Sequence, residues 1–181
     1  MFESGQNWKI AALKTSSRVH YFFKKSNYNA NICSLGENMN EYMNEAIKEA
    51  IKSYKKGDVP VGAVIVRNNK IIARAHNLKE NKNNPLLHAE IIAINKAAKK
   101  LKRWRLEDCE LYVTMEPCLM CTGAIIQSRI KKIYFSIENN DFGALKNISQ
   151  EKKYGLMINE GIESSKSIEL IRNFFEERRK K

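Results

Sequence analysis

The stretch "CELYVTMEPCLMCTGAIIQSRIKKIYFSI", residues 109–137, contains the pattern of a strand, a helix and a second strand in direct succession. Residues 109–115 are almost all apolar, which predicts a buried strand. Residues 117–129 predict a helix, and Pro117 suits its first position because the N–H that proline lacks would have no partner there. Residues 130–137 predict another strand. Such alternation is typical of an α/β domain.

The segments on either side extend this alternation. Residues 40–57 place apolar side chains on one helical face and end at Gly57, a plausible helix stop. Residues 59–77 predict two strands joined by a tight turn at Asn68 and Asn69. The remaining predicted elements are a helix over 88–101, a polar loop over 138–149, a short strand near 156–158 and a final helix over 167–181. We therefore expect a three-layer α/β/α domain around a mixed, about five-stranded sheet.

Composition and charge narrow the class of protein. The chain has 181 residues, of which 43% are hydrophobic, and this suits one domain with a core of its own. The formal net charge of +12 favours a polyanion such as nucleic acid as partner, with an anionic membrane second and a generally lysine-rich proteome as the alternative. No apolar run approaches the roughly 20 residues of a membrane span. No secretory signal is visible, so we expect a cytoplasmic protein.

Residues 1–38 differ from the rest and predict an irregular basic extension, whereas 39–181 form the patterned domain. The extension is rich in Ser, Asn and Lys and has scattered aromatic residues without a sustained period. It could be an organelle transit peptide, a loosely ordered extension, or translated sequence upstream of a true start at Met39. We favour the last two interpretations.

Three residues at predicted helix starts have the chemistry of a zinc site. His88 opens the helix over 88–101, and Cys118 and Cys121 open the helix over 117–129. Residues three apart share a helix face, and the positive end of a helix favours the thiolate form that binds metal. Two such helix starts facing one another would bring one imidazole and two thiolates together, and zinc prefers these ligands.

A fourth protein ligand is hard to find in the sequence. His20 lies in the extension, His76 lies at a strand end, and Cys109 precedes a buried strand. A structural zinc site needs four protein ligands, whereas a catalytic site keeps one position for water. We therefore expect three ligands plus water. Glu90 would then take up and deliver the proton, because two thiolates leave that water less acidic than a three-histidine site would.

The joint pattern "HAE" (88–90) and "PCLMC" (117–121) resembles the zinc-dependent nucleobase deaminases. Together with "DVPVGAVIV" (58–66) and the terminal "FFEERRKK" (174–181), it is similar to the tRNA-specific adenosine deaminases over about residues 40–180. The resemblance implies a cytidine-deaminase-like fold. It also implies one Zn²⁺ per subunit held by His88, Cys118 and Cys121, with Glu90 as proton shuttle. The implied reaction is hydrolytic deamination of adenosine to inosine at the wobble position of a tRNA anticodon, by zinc-activated water.

The resemblance also implies substrate contacts and partners. Asn77 matches the asparagine that holds the purine, and Val59, Pro60 and Ala89 match positions near the base pocket. Members of this group are homodimers that grip the anticodon stem-loop across the subunit junction. On the C-terminal helix, Phe174 and Arg178 are candidate RNA contacts, with core packing and a solvated helix end as the alternatives. The basic run 99–105 around Trp104 is a weaker candidate.

The loop after the fourth strand departs from the family pattern. Asn139 stands where the family usually has aspartate, and Asp141 stands where it usually has lysine. In the family this loop lines the substrate strand, so Asn139 is a candidate substrate contact. One hypothesis is weaker discrimination against deoxyribose, and the alternative is drift in a surface loop.

Two other functions compete with this interpretation. A deaminase of a free base or nucleotide, such as cytidine, dCMP or guanine, would share the zinc motif. A zinc-stabilised RNA-binding module without catalysis would need a fourth protein ligand, for which Cys109 is the candidate, and would leave Glu90 without a role.

Overall fold

The computed structural model describes residues 30–149 and 154–180, with side chains described over 39–148 and 154–180. These residues contain five strands and five helices, which alternate along the chain except where β2 directly follows β1. The elements are α1 (Ala30–Lys55), β1 (Gly62–Arg67), β2 (Lys70–His76), α2 (Ala89–Leu101), β3 (Cys109–Met115), α3 (Leu119–Gln127), β4 (Lys132–Ile137), α4 (Leu145–Ser149), β5 (Met157–Asn159) and α5 (Ser164–Arg179).

The five strands form one mixed sheet in the order β2-β1-β3-β4-β5. β1 is antiparallel to both β2 and β3, whereas β3, β4 and β5 are parallel to one another. The β1–β2 turn has positive φ at both Asn68 (49°) and Asn69 (57°), as a type I′ hairpin requires. The predicted hairpin and the predicted mixed, five-stranded sheet are confirmed.

Helices cover both faces of the sheet, so the predicted three-layer α/β/α architecture is also confirmed. On one face α1 packs its buried side chains against Val64, Val66 and Tyr112. On the other face α2 contributes Ala89, Ala93 and Ala97 to the larger core cluster, in which α3 contributes Ile125. Because β1 and β3 are covered on both sides, most of their residues are buried.

Gly62 allows α1 to lie very close to the sheet. A Cβ atom on Gly62 would lie 2.0 Å from the carbonyl oxygen of Ala46 and 2.4 Å from the amide nitrogen of Ala50. Both atoms belong to the backbone of α1 and cannot rotate away. The first strand can therefore begin under this helix only with glycine at position 62.

Several predicted boundaries differ from the structure. Helix α1 begins at Ala30, well before the predicted start at 40, while residues 1–29, including His20, lie outside the described residues. The predicted polar loop over 138–149 contains the short helix α4. The placing of Pro117 at the first helical position is wrong, because α3 begins at Leu119 and the extended residue Cys118 is its N-cap. The final helix begins at Ser164, three residues before its predicted start.

In the described part of the chain, none of the helices is both long enough and apolar enough to cross a lipid bilayer.

Candidate active site

The candidate ligands occupy the N-cap positions of two neighbouring helices. His88 caps α2 with φ −72° and ψ 151°, and Cys118 caps α3 with φ −71° and ψ 174°. Their backbone carbonyls accept the first helical hydrogen bonds, from Ile92 and Thr122. Neither side chain caps its own helix. The imidazole and the thiol are therefore free to face each other across the gap between the two helix starts.

His88, Cys118 and Cys121 bring their donor atoms within 4.8 Å of one another. The Nδ1 atom of His88 lies 3.6 Å from Sγ of Cys121 and 3.8 Å from Sγ of Cys118. A tetrahedral zinc ion with ordinary Zn–N and Zn–S bond lengths separates a nitrogen ligand from a sulfur ligand by about 3.6 Å. The donor types and their spacing therefore fit one zinc ion per chain.

The electrostatic environment favours a thiolate at this position. Hydrogen bonds from Cys121 and from His88 lower the pKa of the Cys118 thiol to about 4. The hydrogen bond with Cys118 in turn raises the pKa of the His88 imidazole. A thiolate at a helix N-terminus is the form of cysteine that binds metal.

Glu90 lies two residues after His88, in the first turn of α2, and only 4% of its surface is exposed. Burial raises the pKa of its carboxyl group, and its side chain also interacts with Cys121. A buried carboxyl group beside the metal ligands is placed to accept and release a proton at the site.

These residues open into a cavity of about 440 Å³. His88, Glu90 and Cys118 line it, as do four of the predicted substrate contacts: Val59, Asn77, Ala89 and Asn139. The volume falls in the range typical of small-molecule sites. The cavity therefore has room for a ligand next to the donor cluster.

Contacts from helix α1 and from neighbouring loops hold Asn77 in the cavity wall. The hydroxyl of Ser53 donates to its carbonyl oxygen at 2.9 Å, and its own amide N–H donates to the carbonyl of Val61 at 2.9 Å. Its side-chain nitrogen lies 3.3 Å from the carbonyl of Val59, and its side-chain oxygen lies 3.3 Å from the amide of Lys79. These two side-chain contacts are long, so the amide group can exchange them for a ligand.

The structure places three predicted substrate contacts away from the cavity lining. Pro60 is buried and does not line the cavity, although its chain neighbour Val59 does. Phe174 is 4% exposed and packs edge-on against Tyr54, so its predicted direct contact with RNA is corrected: the ring belongs to the core. Arg178 stacks over Phe174 and donates to the carbonyl of Gly57, which ties α5 to the end of α1. Phe175, which is 44% exposed, lines the cavity instead.

Several lining residues were not predicted from the sequence, among them Lys79, Met115, Glu116 and Phe142. Lys79 lies two residues after Asn77, and Met115 and Glu116 directly precede "PCLMC". Their closeness in sequence to these motifs could have identified them as lining residues. Phe142 is 74% exposed in the loop after β4. No local pattern separates such a ring from an ordinary loop residue.

Cys109 lies far from the candidate metal centre. It begins β3, whereas Cys118 follows the other end of that strand, and it is 1% exposed within the larger core cluster. Burial raises the pKa of its thiol to about 11. Among the described residues, the donor group contains His88, Cys118 and Cys121 only. The competing interpretation, a closed site with Cys109 as fourth ligand, is therefore wrong.

A protein-family model described as "Cytidine and deoxycytidylate deaminase zinc-binding region" matches residues 36–137. The chain belongs to this family. In this deaminase the matched range includes the donor cluster, Glu90 and Asn77. The three-layer fold around the mixed sheet is the deaminase fold that the sequence led us to expect.

Known relatives define the branch of the family that the chain resembles. The tRNA-specific adenosine deaminase of Bacillus subtilis (strain 168) is 45% identical over 132 residues, which cover 70% of this chain and 82% of that protein. A solved structure from a study of A-to-I editing by tRNA:A34 deaminases has a TM-score of 0.68 at 32% identity, covering 72% of this chain and 98% of its own. The guanine deaminase of Bacillus subtilis superposes with a TM-score of 0.53 at 37% identity, covering 62% of this chain and 74% of its own.

Proposed function

We propose that this protein is a tRNA adenosine deaminase that converts adenosine to inosine at the wobble position of an anticodon. The observation that carries the proposal is a three-donor cluster opening into a cavity next to buried Glu90. Three protein donors leave one position of a tetrahedral zinc ion open, as catalysis requires. Similarity to proteins named tRNA-specific adenosine deaminase supports adenosine in tRNA as the substrate.

His88, Cys118 and Cys121 would hold the zinc ion, and a bound zinc ion would supply an activated water at the open position. The Glu90 carboxylate would carry two protons in turn, one from the attacking water to a purine ring nitrogen and one from the new C6 hydroxyl to the departing amino group. A C–O bond forms at C6 of adenine while the C6–N bond breaks. Water and adenosine give inosine and ammonia, and Glu90 returns to its starting state.

The cavity wall suits a flipped-out base. Asn77 offers both an amide donor and an acceptor, and Phe175 exposes part of its ring beside the same cavity. The bases of a single-stranded RNA loop can be splayed out, stacked on aromatic rings and hydrogen-bonded along their edges. The net charge of +12 attracts a polyanionic substrate. A deaminase of free bases has less need of that charge.

The remaining parts of the proposal concern partners and location. An anticodon stem-loop would enter between two copies of the chain in a homodimer, as the resemblance implies. A groove of about 390 Å³ between α2 and α3, lined by Ile91, Ile94 and half-exposed Trp104, offers an apolar surface for the second copy. A tRNA substrate also implies a cytoplasmic location.

The decisive experiment is mass spectrometry of an anticodon stem-loop RNA, with one wobble adenosine, after incubation with zinc-loaded protein. We expect conversion to inosine, which adds about 1 Da. Glu90→Gln should lower the turnover rate by about 10²- to 10⁴-fold because it removes the proton carrier. Its zinc content and RNA affinity should match those of the wild type.

Parallel reactions with guanine, cytidine and dCMP test the competing deaminases. Conversion of one of these compounds, with the stem-loop RNA unchanged, would contradict the proposal. A wild-type protein that binds RNA and zinc but converts none of the substrates would favour the non-catalytic module. A Glu90→Gln variant as active as the wild type would contradict the assigned role of Glu90.

A further inference from the structure

Glu116 is a buried carboxylate that the proposed chemistry does not use. It lies between the end of β3 and Pro117, two residues before the ligand Cys118, and is 6% exposed. A buried charge must be satisfied by strong hydrogen bonds. The partners of this carboxylate therefore indicate its role.

Both carboxylate oxygens accept hydrogen bonds from one loop. Oε2 accepts from the backbone amide of Asn139 at 3.3 Å, and Oε1 accepts from the backbone amide of Lys146 at 3.1 Å. These two amides lie at opposite ends of residues 139–146, the segment after β4 together with the first two residues of α4, which we call the β4–α4 loop. Asn139, Asp141 and Phe142 within this loop line the cavity. One carboxylate therefore closes the loop that forms a wall of the candidate active site.

Gly143 shows how closely the loop folds over this carboxylate. A Cβ atom at position 143 would lie 2.4 Å from Oε2 of Glu116 and 2.4 Å from the carbonyl oxygen of Asn139. The amide of Gly143 donates to that same carbonyl at 2.7 Å. Glycine at this position lets the loop lie directly against the charge.

Residues 116–118 join the loop to the metal centre. The amide of Ala144 donates to the carbonyl of Pro117 at 3.1 Å, and Cys118 forms an isolated bridge with Gly143. The amide of Glu116 itself donates to Ile137 at the end of β4, at 2.8 Å. The same three residues thus carry a zinc ligand and hold the cavity loop.

We propose that Glu116 is a positioning residue that sets the β4–α4 loop, and with it the substrate-facing wall, at a defined distance from the zinc ligands. It acts through the loop backbone rather than on the reacting atoms. The kinetic consequence rests on the proposed function, whereas the ordering of the loop does not.

Glu116→Gln is the sharpest substitution because it keeps the shape of the side chain. Glutamine offers one acceptor oxygen, while its NH₂ group would face a backbone N–H donor. One of the two loop amides would then lose its partner, and the remaining hydrogen bond would lose its charge assistance. Glu138→Gln is the matched control: its carboxylate is more than half exposed and contacts the side chain of Lys146, not the loop backbone.

The test combines amide hydrogen exchange over 138–147, zinc analysis and steady-state kinetics on the anticodon stem-loop. For Glu116→Gln we expect faster exchange confined to this segment, one zinc per chain, a KM raised about tenfold and a kcat lowered less than threefold. Glu138→Gln should match the wild type. Gly143→Ala leaves Glu116 in place but pushes the β4–α4 loop away from its carboxylate. We therefore expect the same faster exchange in this variant.

Exchange and KM unchanged in Glu116→Gln relative to Glu138→Gln would overturn the proposal. A kcat loss with normal loop exchange would also overturn it, because Glu116 would then act on the substrate directly. If Glu116→Gln does not fold, Gly143→Ala decides: normal exchange in that variant counts against the proposal. Failure of the wild type to deaminate the RNA would defeat the proposed function alone, because the exchange comparison needs no substrate.

Discussion

Asn77 shows how a single residue joins the cavity to the sheet. Its backbone continues β2 and is fixed by Ser53 and Val61, so the side chain emerges at one place beside Glu90. Its contacts with Val59 and Lys79 at 3.3 Å keep the amide oriented without binding it tightly. Such a group can discriminate between bases because a buried polar group left unpaired is costly.

We expect Asn77→Ala to lower kcat/KM for the stem-loop RNA by about 10- to 100-fold, because it removes a hydrogen-bonding group from the base. The measurement is single-turnover and steady-state deamination, with zinc content checked. Asn81→Ala is the control, since Asn81 lies on the same loop with an exposed side chain and does not line the cavity. Equal rates for the two variants would remove Asn77 from the site.

Residue patterns also carried the identification of the metal centre. The spacing of His88, Cys118 and Cys121 predicted a joint donor set, and the structure brings these three side chains together. Their assignment as zinc ligands stays a prediction until the metal is measured. Phe174 is the opposite case, because its predicted contact with RNA was wrong. The sequence cannot tell which of two adjacent aromatic rings turns inward, and the packing of Phe174 against Tyr54 decides it.

Among the secondary-structure elements, α1 depends on a single residue of the sheet. Its backbone passes over Gly62, and an added Cβ would overlap Ala46 and Ala50. The buried side chains of α1 pack on Val64, Val66 and Tyr112 at the same place. If α1 moved away from the sheet to make room for a larger residue at position 62, the packing of that core cluster would therefore be lost.

We expect Gly62→Ala to lower the free energy of unfolding by about 3 kcal/mol or more, at the upper end of overpacking costs, because backbone atoms cannot move out of the way. Urea unfolding followed by circular dichroism gives the value. Gly123→Ala is the matched control, because a Cβ added to that helical glycine meets no atom within 4 Å beyond its chain neighbours and the adjacent backbone of its own helix. Equal stability of both variants would show that α1 shifts easily.

For the molecule as a whole, charge and one apolar groove suggest how the chain meets its partners. The groove between α2 and α3 includes Trp104, which is 56% exposed and has Arg105 over its ring. Large exposed aromatic rings are enriched at the centres of protein interfaces. The groove lies on the face of the sheet opposite α1, so a second copy bound there would leave α1 free.

We expect Trp104→Ala to raise the dissociation constant of the proposed homodimer by at least about tenfold, because interface aromatic residues contribute most of the binding free energy. Sedimentation equilibrium over a concentration series gives the constant. Ile168→Ala is the control, since Ile168 is 53% exposed on α5 and lies outside the groove. A monomeric wild type would contradict the homodimer, and an unaffected Trp104 variant would exclude this groove.

The sequence by itself determined the class of fold and the chemistry of the donor set. Apolar alternation, the Asn68–Asn69 turn and the helix-start motifs act over short distances, so they can be recognised without coordinates. The same patterns identified the family through "HAE" and "PCLMC". Element ends were predicted less well, because capping geometry such as that of Cys118 depends on a few dihedral angles.

Only the tertiary structure decided which residues form the cavity wall and what holds them. The proposed role of Glu116 depends on the backbone amides of Asn139 and Lys146, which are distant from Glu116 in sequence. They meet its carboxylate because β3 and β4 pair in parallel. The burial of Phe174 and the distance of Cys109 from the metal centre likewise follow from packing. These are contacts between distant segments, and no local pattern in the sequence encodes them.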